Sequence, residues 1–396
     1  MAVFLHLSFF RIAKRPLIEV FYTQTTSKKK VVSKKRVVLG MSGGVDSSVA
    51  ALLLQEQGYE VIGLFMKNWE ELTEEGFCQS AQDFEDVIKV CEKLNLPYYS
   101  VNLSKEYWDR VFTRFLEGLQ AGRTPNPDIL CNREIKFKAF LEKALALDAD
   151  YIATGHYCQT QHLNKTTHLL RGADPEKDQS YFLYSISQSS LQKSLFPIGR
   201  LEKREVRSLA QRHCLPTAEK RDSTGICFIG KRPFAPFLSR YIKYSPGMIK
   251  TLDHKAVGEH RGIAFYTLGQ RKGLNIGGSG APWFVVDKDR RQNVLFVAQG
   301  KDHPSLFSLS LTANELTWLA GFPPSFPISC TAKVRYRHKD VPCTLHALDQ
   351  DLLLVTFEQP QRAITEGQSV VFYKGPICLG GGIIEGRSKS VGNKSG

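Results

Sequence analysis

The sequence predicts an α/β chain in which a doubly wound parallel sheet is followed by a small middle module and a C-terminal β-barrel. Between Val37 and about Gly155 short apolar strands alternate with helical patterns, the rhythm of a parallel sheet covered by helices. Beyond Gly247 the pattern changes to short strands separated by Gly, Pro and Asp turns, as in antiparallel β structure. A third observation is the run Ser42-Gly43-Gly44-Val45-Asp46-Ser47, which joins the first strand to the first helix through two glycines able to turn with positive φ.

Taken in order, the strand Val37–Met41 leads through that turn into an apolar helix, Val49 to Leu54. A strand at Val61–Phe65 follows, then a helix near Ser80 to Leu94, a strand at Tyr98–Val101, helices over Lys105–Leu119 and Ile135–Ala146, and a strand at Tyr151–Thr154. Ligands of such sheets sit beyond the carboxyl ends of the strands, where Ser42-Gly43-Gly44, Met66 and Thr154-Gly155-His156 all fall, so these should converge on one nucleotide. After Leu201 a charged helix runs to about His213, and strands are expected at Val294–Val297, Cys330–Tyr336, Cys343–Leu348, Leu352–Phe357 and Ser369–Tyr373. The expected divisions are a basic, disordered extension (1–35), a catalytic domain (36–230), a central domain (231–303), a barrel (304–385) and a tail (386–396).

The chain has 396 residues, 42% of them hydrophobic, enough for two or three buried cores. Its formal charge of +14 points to an acidic partner, but residues 1–36 hold nine Lys/Arg against one acid, so charge alone is weak evidence for a nucleic-acid surface. That segment suits a mitochondrial transit peptide, a disordered basic arm or an upstream start codon wrongly chosen. No stretch approaches about 18 apolar residues, which excludes a membrane span. Nine cysteines without a C-x-x-C pair suggest neither a disulfide framework nor a zinc site, and a reducing compartment fits best.

The Ser42–Ser47 run reads as a pyrophosphate cradle. Its glycines admit close backbone approach, and the helix that follows aims unpaired N–H groups and its positive dipole end at an anion. It lacks the Lys-Ser/Thr of a Walker loop and the G-x-G-x-x-G of a dinucleotide fingerprint. Cys131 follows Pro125-Asn126-Pro127-Asp128, a rigid turn expected to precede a helix beginning near Asn132, whose dipole would favour the thiolate. Asp128 is close enough to act as a base or to hold a substrate amide. Cys227 lies in an apolar, glycine-flanked run among Lys220, Arg221, Lys231 and Arg232, cations suited to a thiolate or persulfide. Each cysteine alone could equally be a small buried hydrophobe, and their separation in the chain says nothing about contact.

The Ser42–Ser47 loop resembles the SGGxDS loop of the ATP pyrophosphatases, whose fold is adenine nucleotide alpha hydrolase-like. Six segments resemble, in order, the tRNA-specific 2-thiouridylases: Leu64-Phe65-Met66-Lys67-Asn68-Trp69, Gly122 to Asn132, Ala153-Thr154-Gly155-His156-Tyr157, Lys177 to Leu183, Ser223 to Gly230 and Tyr266-Thr267-Leu268-Gly269-Gln270-Arg271. The match runs from about Arg36 to Ile384. The basic extension and a short Gly278-Ser279-Gly280-Ala281 loop depart from it, and Thr224 and Ile226 look like the bacterial variant, which implies a cytoplasmic enzyme.

The resemblance implies ATP-dependent adenylation of the C2 oxygen of the wobble uridine (position 34), followed by its replacement with persulfide sulfur. Gly40, Met41, Ser42, Gly43, Gly44, Val45, Asp46, Ser47, Met66 and Gly155 would hold ATP, with a magnesium ion whose ligands the sequence does not assign. Cys227 would carry sulfur received from a persulfide donor protein, Cys131 would resolve the persulfide, closing a Cys131–Cys227 disulfide or freeing sulfide, and Asp128 would be the general base. Implied tRNA contacts are Asn126, Pro127, Asp128, His156, Lys177, Asp178, Gln179, Arg335, Tyr336 and Gln368, with Arg335 and Arg337 giving phosphate contact beside the stacking ring of Tyr336. The remaining cysteines are assigned to packing. Two other readings share parts of this pattern: an ATP-pyrophosphatase-type ligase needs the loop without the cysteines, and a non-catalytic RNA-binding protein needs the barrel without the loop.

Overall fold

Val37, Leu39 and Met41 pack on one face of the first strand and Val38 on the other, all of them buried, which is the pattern of a strand covered on both sides. The computed structural model describes residues 34–69, 79–222, 234–349 and 351–388, together with Gly225, Cys227 and Ile229. Its first sheet contains β1 (Arg36–Met41), β2 (Glu60–Lys67), β3 (Tyr98–Asn102), β4 (Tyr151–Ala153) and, beyond a hairpin of β5 (Cys158–Leu163) and β6 (Thr166–Arg171), β7 (Ser194–Leu195). The order is β3-β2-β1-β4-β7 and every pairing is parallel, as the sequence predicts.

Helices α1 (Val45–Glu56) and α2 (Gln79–Lys93) cover one face; α3 (104–120) and α4 (127–145) cover the other. α5 (Gln188–Gln192) abuts α4, where the Ser190 hydroxyl donates to the Phe137 carbonyl at 2.8 Å, and α6 (Lys203–Arg212) packs Val206 and Ala210 against the α1 side. Two of these helices are not regular. Trp108–Phe112 in α3 and Asn132–Ala139 in α4 have π geometry, which recurs at functional sites.

The start of α4 corrects the expectation for Cys131. Pro125-Asn126-Pro127-Asp128 is not a turn ahead of a helix at Asn132, because Pro127 is the first helical residue and the Asn126 side chain caps it, accepting from Asp128 N at 3.0 Å. Cys131 therefore lies inside the helix rather than at its N-terminus.

Short α7 (Phe234–Leu238) is anchored on the catalytic domain by an aromatic cluster in which the Phe237 ring lies 6.1 Å from Trp69 and 5.9 Å from Phe112. The middle module is a four-stranded sheet, β10-β11-β8-β9, built from β8 (Gly247–Thr251), β9 (Ala256–His260), β10 (Trp283–Asp289) and β11 (Val294–Gln299). The C-terminal unit contains β12 (Phe307–Trp318), β13 (Ile328–Lys333), β14 (Val341–Asp349), β15 (Leu352–Arg362), β16 (Ser369–Lys374) and β17 (Ile377–Arg387). Pairing of β12 with both β15 and β17 closes these six strands into a barrel around Leu345, Leu353, Val355, Val370 and Phe372. The strand expected to reach Tyr336 stops at Lys333, so Arg335 and Tyr336 lie in the turn that follows it.

The hairpin β5–β6, which the sequence reading leaves unassigned, does not join the parallel sheet. It extends the barrel sheet, with Leu170 opposite Ile377 and Leu169 opposite Cys378. The buried core of the catalytic domain accordingly continues into the barrel through Leu169, Val371, Tyr373 and Cys378.

Candidate active site

The nucleotide loop sits at the carboxyl end of β1, where the fold places it. Gly43 has φ +71°, and a Cβ there would meet the Asp83 carbonyl oxygen at 2.4 Å, so both the conformation and the space require glycine. The Ser47 hydroxyl lies 3.2 Å from Ser42 N and donates to Gly44 O at 3.1 Å, tying the loop back on itself. No side chain caps α1 at Gly44, which leaves its first turn open to an anion.

Gly155, at the end of β4, closes on the same turn: a Cβ there would stand 2.8 Å from Ser47 N. Met66, in β2, brings its methyl group 3.4 Å from where a Gly40 Cβ would be. The structure thus brings Gly40 to Ser47, Met66 and Gly155 together. Asp46 is engaged from two sides, accepting from the Tyr157 hydroxyl at 2.7 Å and from the Lys203 ammonium at 2.8 and 2.9 Å. Among the described residues no cluster of His, Cys, Asp and Glu could by itself hold a metal ion.

Beside this loop the structure joins the two cysteines. The Cys131 thiol donates to the Cys227 sulfur at 3.8 Å, across 96 residues of chain. Cys227 is fixed through its backbone: its N–H donates to Asp128 Oδ1 at 2.9 Å and its carbonyl accepts from the Tyr107 hydroxyl at 2.8 Å. Burial and the neighbouring Cys227 push the Cys131 thiol well up. The hydrogen bond from Cys131 draws Cys227 below the ordinary thiol value, helped by the Lys136 ammonium, so of the two sulfurs Cys227 is the one whose charged form is favoured. Burial raises the Asp128 carboxyl, opposed by its bond from Cys227 N–H.

The cations expected around Cys227 are not the ones found there. Lys220 instead pairs with Asp83 at 2.8 Å and Asp86 at 2.6 Å, Arg221 is exposed, and Lys231 and Arg232 lie outside the described residues, as do Ser223, Thr224, Ile226, Phe228 and Gly230. The cation beside the sulfur is Lys136 of α4, which the sequence reading missed.

Of the residues implied to contact tRNA, Asn126, Pro127 and Asp128 form the first turn of α4 beside the thiols. His156 is buried, with Nδ1 2.8 Å from Thr154 Oγ1 and Nε2 3.5 Å from Lys136 Nζ, and burial drives its pKa well down, leaving a neutral ring. Asp178 is buried and accepts from Gly172 N and Ser180 N, both at 3.1 Å, while Gln179 Oε1 accepts from Tyr157 N at 2.9 Å. Lys177 pairs with Asp222 at 2.8 Å. Tyr336 packs its ring 4.3 Å from that of Phe182.

Arg335 and Gln368 bond to the protein itself. One Arg335 nitrogen donates to Leu268 O at 2.9 Å, Ala363 O at 3.2 Å and Thr365 Oγ1 at 2.9 Å. The Gln368 amide donates to Thr124 O at 2.6 Å; with Thr124 N donating to Glu366 O at 2.9 Å and Arg123 paired to Glu385 at 3.0 Å, the barrel straps down the segment leading into α4.

Three family models match this architecture in succession: the tRNA methyl transferase HUP domain over residues 35–231, the tRNA methyl transferase PRC-barrel domain over 235–299 and the aminomethyltransferase beta-barrel domain over 308–384. The chain is therefore a HUP-domain protein carrying two β modules. Over 354 residues it is 58% identical to the tRNA-specific 2-thiouridylase MnmA of Protochlamydia amoebophila, covering 89% of this chain and 94% of that one. It is 56% identical to MnmA 2 of Geobacillus kaustophilus (90% and 96% covered) and 57% identical to MnmA of Serratia proteamaculans (90% and 98% covered). The chain belongs to the tRNA-specific 2-thiouridylase family.

Proposed function

We propose that the protein is an ATP-dependent tRNA-uridine 2-sulfurtransferase that converts the wobble uridine (position 34) to 2-thiouridine. The observation that carries this reading is the 3.8 Å approach of the Cys131 and Cys227 sulfurs beside Asp128, linked to the nucleotide loop through Lys136, His156 and Gly155. Bound ATP supplies the leaving group, because the C2 oxygen of uracil does not depart unless it is adenylated. The glycine turn and the first turn of α1 would hold its phosphates, and Met66 and Gly155 shape the space beside them. Magnesium would arrive with the triphosphate, held chiefly by phosphate oxygens and water.

Cys227, the thiolate of the pair, takes the outer sulfur of a donor protein's persulfide and the donor's thiolate leaves. The terminal sulfur then bonds to C2 and AMP departs with the oxygen. Cys131 attacks the Cys227 sulfur as its proton passes to Asp128, the general base, whose carboxyl burial raises toward the thiol. The sulfur–sulfur bond breaks toward the base, leaving 2-thiouridine and a Cys131–Cys227 disulfide. A reducing compartment, which we take to be the cytoplasm, reopens it.

The base must leave the anticodon stack to reach these sulfurs. We assign Asn126, Pro127, Asp128 and His156 to the pocket for the flipped base. Lys177, Arg335 and Tyr336 would touch the RNA, while Asp178, Gln179 and Gln368 hold the surrounding backbone in place. Paired cysteines weigh against a ligase, and the nucleotide loop weighs against a purely RNA-binding role.

The deciding experiment measures 2-thiouridine by nucleoside mass spectrometry in cells lacking the protein, complemented with wild type or Cys227→Ser. Restoration by wild type alone is expected. Normal 2-thiouridine in the deleted cells would refute the proposal.

A further inference from the structure

We propose that Lys136 is a catalytic residue of this site: its ammonium is the counter-cation of the Cys227 sulfur, first as thiolate and then as persulfide anion, and the π geometry of α4 delivers it there. The inference rests on the sulfur-transfer reading above. Five residues span about 1.4 turns of a regular α-helix, which would turn Cys131 and Lys136 to different faces. The stretch Asn132–Ala139 is instead π-helical, and Phe140 N donates to Ile135 O in the i→i+5 pattern. In that geometry residues five apart stand one above the other, so Cys131 and Lys136 share the face that meets Cys227. Both reach it: Cys131 donates to the Cys227 sulfur at 3.8 Å, and the Lys136 ammonium hydrogen-bonds to the same atom.

The groups around the sulfur come from several elements, and their charges leave Lys136 one evident role. From α4, Asp128 accepts the Cys227 N–H and the Cys131 thiol is held protonated by burial. From α3, the Tyr107 hydroxyl donates to the Cys227 carbonyl and stays protonated, its pKa pushed well up by burial. From the end of β4, His156 is neutral, held down by burial and by Lys136 itself. Burial opposes a charge on Lys136 too, but Cys227, Cys131 and Asp128 together keep it above the ordinary lysine value. Among the groups named, Lys136 is the positive one. Sulfur loading moves the negative charge outward by one S–S bond, and the four-carbon stem of lysine lets the ammonium follow.

The test reads the thiolate directly, without tRNA or sulfur donor: peptide-resolved iodoacetamide labelling of Cys227 in the full-length protein from pH 5 to 10, for wild type, Lys136→Met and Lys136→Arg. In wild type the midpoint should lie below the roughly 8.5 of a free cysteine. Lys136→Met should raise it by at least about one unit, slowing labelling at neutral pH roughly tenfold, and Lys136→Arg should recover most of the loss. An unchanged midpoint in Lys136→Met overturns the proposal. So does a wild-type midpoint at or above about 9, a result that stands even where the variant does not fold. A Lys136-dependent midpoint in a wild-type enzyme that forms no 2-thiouridine would instead refute the sulfur-transfer reading and leave the Lys136–Cys227 pairing in place.

Discussion

The Lys203 ammonium grips Asp46 through both carboxylate oxygens, at 2.8 and 2.9 Å, and with the same nitrogen reaches Asp222 Oδ1 at 2.8 Å. Asp46 opens the first turn of α1, and Asp222 stands five residues before Cys227. One side chain thereby ties the nucleotide loop to the segment that bears Cys227. Removing it should disable nucleotide use, and sulfur transfer with it.

Lys203→Met is expected to lower AMP formation from radiolabelled ATP by at least a hundredfold while leaving tRNA affinity within about threefold. Asp46→Ala and Ser47→Ala should behave alike, and wild-type thiolation by either would contradict the assigned loop.

Asp222 gives the same network a pH signature. Burial pushes its carboxyl up, but Lys177 and Lys203 outweigh that and hold it at about 2. A depressed carboxylate stabilises the fold above its unfolded value near 4, and that contribution is lost as pH falls through about 2. Asp222 is about a third exposed, so the contribution is discounted to roughly 1 kcal/mol. Asp222→Asn should therefore lower Tm at pH 7 and make little difference near pH 2, a convergence that thermal melts across pH would reveal.

Gly155→Ala tests the closeness of β4 to the loop. Its Cβ would stand 2.8 Å from Ser47 N and 2.9 Å from the Asp46 carbonyl carbon, both backbone atoms that cannot swing aside. ATP affinity by calorimetry should fall more than tenfold with the far-ultraviolet circular dichroism unchanged; undiminished affinity would detach Gly155 from the nucleotide site.

The two cysteines should fail differently when replaced. Cys227→Ser should gain no sulfur mass from a donor, whereas Cys131→Ser should load sulfur and consume ATP yet accumulate no 2-thiouridine. After turnover, non-reducing peptide maps of wild type should show a Cys131–Cys227 link. A second pair, Cys330 and Cys343, faces across β13 and β14 with sulfurs 3.6 Å apart, so a link there after treatment with diamide alone would mark simple oxidation rather than turnover. Wild-type thiolation by Cys131→Ser without added reductant would end the two-cysteine mechanism.

For Arg335 the structure adds a stability cost to the expected RNA effect. Arg335→Ala breaks three hydrogen bonds joining the turn after β13 to the middle module and to the Ala363–Thr365 segment, worth about 2–3 kcal/mol together. Both a lower Tm and a salt slope of tRNA binding reduced by about one are expected. A lower Tm with an unchanged slope would confine Arg335 to an architectural role.

The parallel sheet and its loop were legible because each rests on local signals: apolar strands, a double glycine and the helix behind it. Cys131, Cys227 and Asp128 could be named from their surroundings, but not their contact, since nothing local reports a meeting across so much chain. Lys136 was hidden by a π stretch that breaks the 3.6-residue period by which helix faces are assigned. Pro127 misled because proline reads as a turn, whereas behind an Asn cap it starts a helix. Arg335 read as a phosphate ligand from the resemblance and from its place beside Tyr336; only the folded chain shows the carbonyls already in reach of its guanidinium.

The pairing of β6 with β17 bears on how this protein can be taken apart. Arg171, at the end of β6, lays its guanidinium 3.7 Å over the Tyr373 ring and pairs with Asp340 at 2.9 Å, so the hairpin is riveted to the barrel by charge and ring as well as by backbone. A fragment cut out at the covalent junction near residue 304 would leave Ile377 and Cys378 on a bare strand edge, a template for aggregation. Conversely, the amino-terminal half expressed alone would carry a β ribbon with no sheet to join. The natural seam runs through space between Leu169 and Cys378, not through any linker, and the two halves should be purified, crystallised and evolved as one body.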